Sequence, residues 1–311
     1  MEMRRLIYRS SLFGFILFSS LADQRIQFKD DVTYHCENDM SHDGNVIAHR
    51  GFSSFEVENS FNSVKKAVDS NCVDGVEIDV RLTKDEEIVL SHNDRILGVG
   101  KISDTTLEEL EDKTYKSPSI SKLDLVKSCI LGRDGELIYS RYIETKDSTE
   151  PVTTLEYVLD NITSKKTLLV DMKFSDDDNT VFIEKVDKLF SKYVDNFDII
   201  FQASDYDELC KMKDKYPNYK YQLIIGRERN LKYLDSDFEM FGIRKNLITK
   251  DMLEEQTNKG KTISVWTINS YSEYKELEDE LGDSINEILI ITDYPDEICY
   301  LLNNKKQKIL E

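Results

Sequence analysis

Gly75-Val76-Glu77-Ile78-Asp79-Val80 is the stretch on which the fold of this chain turns. Successive side chains of a β-strand point to opposite faces, so Val76, Ile78 and Val80 share an apolar face while Glu77 and Asp79 share the other. Two carboxylates on one face repel each other unless a cation stands between them, which is costly without a function.

Outward from this strand, Val46-Ile47-Ala48 is a short apolar run that delivers His49 and Arg50 at its carboxyl end, and similar segments recur down the chain. Strands are predicted at 46–49, 75–80, 167–173, 198–202, 220–225, 239–243, 262–267 and 287–292. Helices separate them. Asn59 to Ser70 sets Phe61, Val64, Ala67 and Val68 on one stripe, with Asn59 expected either to cap it or to support the site. Thr249 opens a helix through Gln256 that ends near Gly260, and Ser270 caps one running to Leu281 before Gly282. A short helix is predicted at Leu107–Leu110. Strands alternating with amphipathic helices imply an α/β fold with a helix-covered parallel sheet, and eight strands close a TIM-type (β/α)8 barrel of ~250 residues. Active sites of such barrels lie at the carboxyl ends of the strands. His49, Arg50, Glu77, Asp79, His92, Asp171 and Lys173 all fall at or near such ends, so sequence distance does not separate them in space.

His49-Arg50-Gly51, then Glu58-Asn59, then Glu77-Ile78-Asp79, then Ser91-His92 resemble the hallmarks of the glycerophosphodiester phosphodiesterase family. Later segments match that family in order: Val152–Leu159 its helix after an insertion, Leu169–Lys173 its third acidic strand, Val265–Asn269 its tryptophan strand, and Ile291–Asp296 its closing strand and turn. The resemblance spans about 46 to 302. It implies a phospholipase C-like barrel that hydrolyses glycerophosphodiesters to glycerol 3-phosphate and an alcohol. His49 and His92 would be the acid and base pair, and Arg50 and Lys173 would hold the phosphate; Trp266, late on its strand, would either meet the substrate as a binding residue or pack in the core. The attacker would be either the glycerol hydroxyl beside the phosphate or water. Rival readings are a lysophospholipase D-like activity on a lipid substrate, and a catalytically weakened protein that only binds glycerophosphodiesters.

Glu77, Asp79 and Asp171 offer three hard oxygen ligands, which suit one divalent cation, Mg²⁺ or Ca²⁺, rather than zinc. The alternative is a cluster neutralised by Arg50 and Lys173 alone. Two positions depart from the family: aspartate stands at 171 where glutamate is usual, and the usual His-Asp reads His92-Asn93-Asp94. Glu58 is expected to reach the metal or to hold Arg50.

Between His92 and Val152 the alternation breaks, and Gly98, Gly100, Pro118, Gly132 and Gly135 mark an insertion at about 99–151. Tyr115, Leu137, Tyr139 and Tyr142 would line the substrate mouth or pack the insertion's own small core. The barrel domain is placed at 45–303, after an extension at 23–44 and before a tail at 304–311.

In residues 1–22, Arg4, Arg5 and Arg9 precede the apolar run Leu12–Phe18, and small residues follow at Ser20 and Ala22. This reads as a secretory signal peptide or a membrane anchor, placing the protein outside the cell or at its surface with possible membrane proximity. The net charge of −19 across 311 residues argues against binding nucleic acid, and it requires a locally positive site for an anionic phosphodiester. The cysteines, Cys36, Cys72, Cys129, Cys210 and Cys299, are scattered and carry no metal-binding spacing.

Overall fold

The computed structural model describes residues 45–302 apart from 97–98, 112–113, 117–128, 132–136, 141–148, 194–195 and 300. All eight predicted strands form: β1 (Val46–Ala48), β2 (Gly75–Leu82), β3 (Thr167–Met172), β4 (Asp198–Ala203), β5 (Lys220–Ile225), β6 (Met240–Arg244), β7 (Thr262–Trp266) and β8 (Leu289–Thr292). Each pairs in parallel with its neighbour in chain order. Ala48 of β1 lies opposite both Val76 of β2 and Thr292 of β8, which closes the sheet into a barrel.

The period of two sorts each strand into an outer and an inner face. Outward residues such as Val76, Ile78, Val80, Leu168, Val170 and Met172 join one large core with the helices that cover the barrel. Inward, Ile47, Leu169, Ile200 and Ile291 form a separate apolar cluster. The inner residues two places further along these strands are His49, Asp171, Gln202 and Asp293. The barrel is thus oily towards its amino ends and polar at its carboxyl mouth.

The covering helices are α1 (Phe61–Asp69), α2 (Leu155–Asn161), α3 (Thr180–Phe190), α4 (Tyr206–Lys215), α5 (Lys250–Asn258) and α6 (Tyr271–Leu281). Thr249 and Ser270 cap α5 and α6 as expected. The cap of α1 is Ser60 rather than Asn59: its hydroxyl accepts from the Ser63 amide, while the Asn59 side chain is drawn inward to Asp79.

After β2 the chain turns back as the short strand Ile88–Leu90, antiparallel to β2. The bond from the Ser91 amide to the Asp79 carbonyl, 3.0 Å, sets His92 beside the mouth. The insertion follows. Its described parts include a 3-10 turn at Ile102–Asp104, the predicted short helix, Leu107–Glu111, and three two-stranded antiparallel ribbons, the first of which begins at Arg95, rather than a barrel unit. The side chains of Tyr115, Leu137 and Tyr139, the whole of Tyr142, the leader 1–22, the extension 23–44 and the tail 304–311 lie outside the described residues. Among the described residues no helix is long and apolar enough to cross a membrane.

Candidate active site

Two consecutive left-handed residues follow β1, Arg50 at φ 57° and Gly51 at φ 78°. Glycine is required at the second, because a Cβ there would lie 2.5 Å from the Ser63 backbone carbon. The turn points the Arg50 amide at the Glu77 carboxylate, 2.9 Å away, and its carbonyl receives the Asn59 amide at 3.0 Å. Asn59 is itself left-handed, at φ 55°. Its side chain grips Asp79 twice, donating to Oδ2 at 2.8 Å and accepting from the Asp79 amide at 2.9 Å.

Glu77, Asp79 and Asp171 are brought together at the mouth, each buried, with candidate ligand oxygens all within 4.8 Å of one another. Lys173 bridges two of them, at 2.7 Å from Asp79 and 2.5 Å from Asp171. Arg50 reaches Glu58 through Nη1 at 2.9 Å, and its Nε lies 3.2 Å from Asp79 as an ion contact. Glu58 therefore holds Arg50. The shorter Asp171 still reaches the cluster.

The carboxylates are unevenly compensated. Burial and the neighbouring Asp79 push Glu77 up to about 7. Burial also acts against ionised Asp79, but Lys173 and Arg50 outweigh it and hold Asp79 at about 2. Asp171 is raised by burial, only partly offset by Lys173. A buried carboxylate driven towards protonation by its like neighbours marks a cluster short of positive charge. This donor set is compatible with a divalent cation, and the residues fit one.

His49 and His92 flank the cluster in different settings. His49 is held through Nδ1 by Asp293 Oδ1 at 2.6 Å, and its Nε2 faces Glu77 at 3.9 Å. Burial opposes its charge, but Glu77 and Asp293 outweigh burial and raise its pKa. His92 is more open: its ring Nδ1 lies 3.4 Å from the Asn93 amide oxygen, and its backbone carbonyl accepts from the Arg81 guanidinium at 2.7 Å. Burial, with Arg50 and Lys173 nearby, lowers its pKa. Trp266 is tied into the barrel, donating from its indole to the Gly242 carbonyl at 3.0 Å and packing on the inner apolar cluster.

Sequence reasoning missed Asp293 and Asn269. Asn269 donates to Asp293 Oδ2 at 2.5 Å and accepts from the Asp293 amide at 2.9 Å, so the carboxylate behind His49 is itself fixed. The available signal was an acidic residue directly after the last strand, at the carboxyl end of β8.

A closed (β/α)8 barrel with carboxylates, histidines and cations converging at its carboxyl mouth defines a barrel hydrolase. The profile of the glycerophosphoryl diester phosphodiesterase family matches residues 49–297, and the chain belongs to that family of phosphoric diester hydrolases. It is 27% identical over 263 residues to the Bacillus subtilis protein YhdW, an alignment covering 81% of this chain and 96% of YhdW. Among solved structures, the Thermotoga maritima glycerophosphodiester phosphodiesterase matches with a TM-score of 0.58 at 23% identity, covering 84% of this chain and 99% of that one. An Oleispira antarctica phosphodiesterase, solved in complex with its product sn-glycerol-3-phosphate, matches at 0.63 and 19% identity, covering 84% and 97%. These last two likenesses bear on the fold.

Proposed function

We propose that this protein hydrolyses glycerophosphodiesters to glycerol 3-phosphate and a free alcohol with one bound Mg²⁺ or Ca²⁺. The observation that carries the reading is the convergence of Glu77, Asp79 and Asp171 within 4.8 Å, flanked by two histidines of opposite pKa shift. The product held by the Oleispira antarctica relative supports the substrate class. Glu77, Asp79 and Asp171 would hold the cation. When bound, it supplies positive charge against the phosphoryl oxygens.

His92, held below the usual histidine range, accepts the proton of the attacking oxygen. His49, whose pKa Glu77 and Asp293 raise against burial, donates to the leaving alkoxide. Arg50 and Lys173 bring positive charge to the phosphoryl oxygens, and Trp266 borders the alcohol side.

The test is release of glycerol 3-phosphate from glycerophosphocholine and glycerophosphoethanolamine with Mg²⁺ or Ca²⁺. Activity abolished by chelator and by His49→Ala supports the reading, whereas tight substrate binding without turnover under either ion overturns it. Turnover of lysophosphatidylcholine in preference to glycerophosphocholine would assign the lipid-directed activity instead. We further propose export to the cell surface or medium through residues 1–22, on the arginines that precede their apolar run. Sequencing the mature amino terminus tests it, and an intact leader on protein confined to the cytoplasm overturns it.

A further inference from the structure

Behind Glu77 the barrel interior departs from ordinary packing. Gln202 on β4, Gln222 on β5 and Ser264 on β7 are all inward and all buried, at 3%, 0% and 0% exposure. Between the last two strands stands Gly242 of β6, where a Cβ would approach the Gln222 Nε2 to 2.9 Å. The missing side chain leaves room for that amide. One pleat nearer the amino ends, Ile200 sits where the same strand could equally have continued an apolar filling. Burying amides costs free energy that an apolar layer would not, so their arrangement calls for a reason.

The hydrogen bonds supply one. Gln222 donates from Nε2 to Gln202 Oε1 at 2.7 Å. That occupies the carbonyl end of the Gln202 amide and leaves its nitrogen as the donor facing Glu77 Oε1, at 3.4 Å. The other Glu77 oxygen accepts the Arg50 amide at 2.9 Å. Glu77 is therefore held at both oxygens, from opposite sides, by donors that cannot ionise. Outer partners of this kind orient a ligand carboxylate and set its affinity for a metal.

We propose that Gln202 is a positioning residue for the cation-binding carboxylate of Glu77, and that Gln222 sets which end of the Gln202 amide faces it. The inference rests on the proposal that Glu77, Asp79 and Asp171 hold a divalent cation. It extends that site from the mouth down through three strands of the barrel. Gln222 touches no proposed ligand, so its influence passes through Gln202.

The test is calorimetric titration of Mg²⁺ and Ca²⁺ into the full chain as wild type, Gln202→Met, Gln222→Met and the double variant, with each melting temperature recorded. Methionine keeps the volume and removes the donor. Gln202→Met is expected to weaken cation binding about 10–100-fold with the melting temperature held or raised. Gln222→Met is expected to cause a smaller loss, and the double variant to bind no more weakly than Gln202→Met alone, because the two act in series. Wild-type affinity in Gln202→Met, or losses that add in the double variant, overturns the proposal. Should Gln202→Met fail to fold, Gln202→Asn withdraws the amide by one methylene: weakened binding supports positioning and wild-type affinity overturns it. A wild-type protein that binds neither ion removes the cation site itself, an outcome distinct from a site that is present and indifferent to Gln202.

Discussion

His49 Nδ1 and Asp293 Oδ1 lie 2.6 Å apart across the seam where the first and last barrel strands meet. The contact joins the two ends of the domain and gives the buried imidazole a fixed partner, itself fixed by Asn269. Asp293→Asn removes the charge that helps to raise the His49 pKa. Since His49 is assigned as the acid, its protonated form is the active one, and the alkaline limb of the kcat/KM profile should move to lower pH. The rate should fall by about 10²–10⁴-fold, the range in which positioned acid and base groups act. An unmoved alkaline limb would contradict this role.

Cation binding should depend on pH through Glu77. Its carboxyl, pushed up to about 7 without the ion, is protonated below that value, and a cation must displace the proton. Affinity is expected to fall about tenfold per unit as pH drops below this range, with a proton released on binding. Calorimetry in buffers of different ionisation enthalpy measures that proton directly. A flat affinity between pH 5 and 7 would place the ion elsewhere.

Gly51 and Gly260 share a left-handed φ, at 78° and 77°, but only Gly51 is crowded by the Ser63 backbone. Gly260→Ala should cost about 1–2 kcal/mol, the conformational term alone. Gly51→Ala should add roughly 1–3 kcal/mol of overpacking and displace the Arg50 amide from Glu77. Urea denaturation of the two variants separates these contributions, and equal losses would show that the Ser63 contact is easily relieved.

Asn59 combines a left-handed backbone with two bonds to buried Asp79. Asn59→Gly keeps the turn and loses the bonds, at about 1–3 kcal/mol. Asn59→Ala should lose about 1–2 kcal/mol more, because alanine resists that φ. Identical stability in the two variants would remove the backbone from the account.

The barrel was legible because its signal is local. Each of the eight strands announces itself by composition as a short apolar run, and the alternating Val76-Glu77-Ile78-Asp79 sorts into outer core and inner site without reference to the rest of the chain. His49, Asp171 and Lys173 could be placed at the mouth because a parallel barrel aligns all its carboxyl ends, whereas His92, expected at such an end, reaches the mouth on a strand that turns back antiparallel to β2. Which partner each side chain takes is a different question. Asn59 could be read as a helix cap or as a support of the site, and the structure takes the second: its side chain turns to Asp79 and leaves capping to Ser60. Asp293 becomes the partner of His49 only because β8 closes on β1, and Gln202 and Gln222 form a chain only inside a curved sheet that turns their faces together. Periodicity and punctuation in the sequence determined the strands, their order and the residues at the mouth. Barrel closure decided which of those residues touch, since hydrogen bonds and charge compensation act over a few ångströms of space that separation along the chain does not encode.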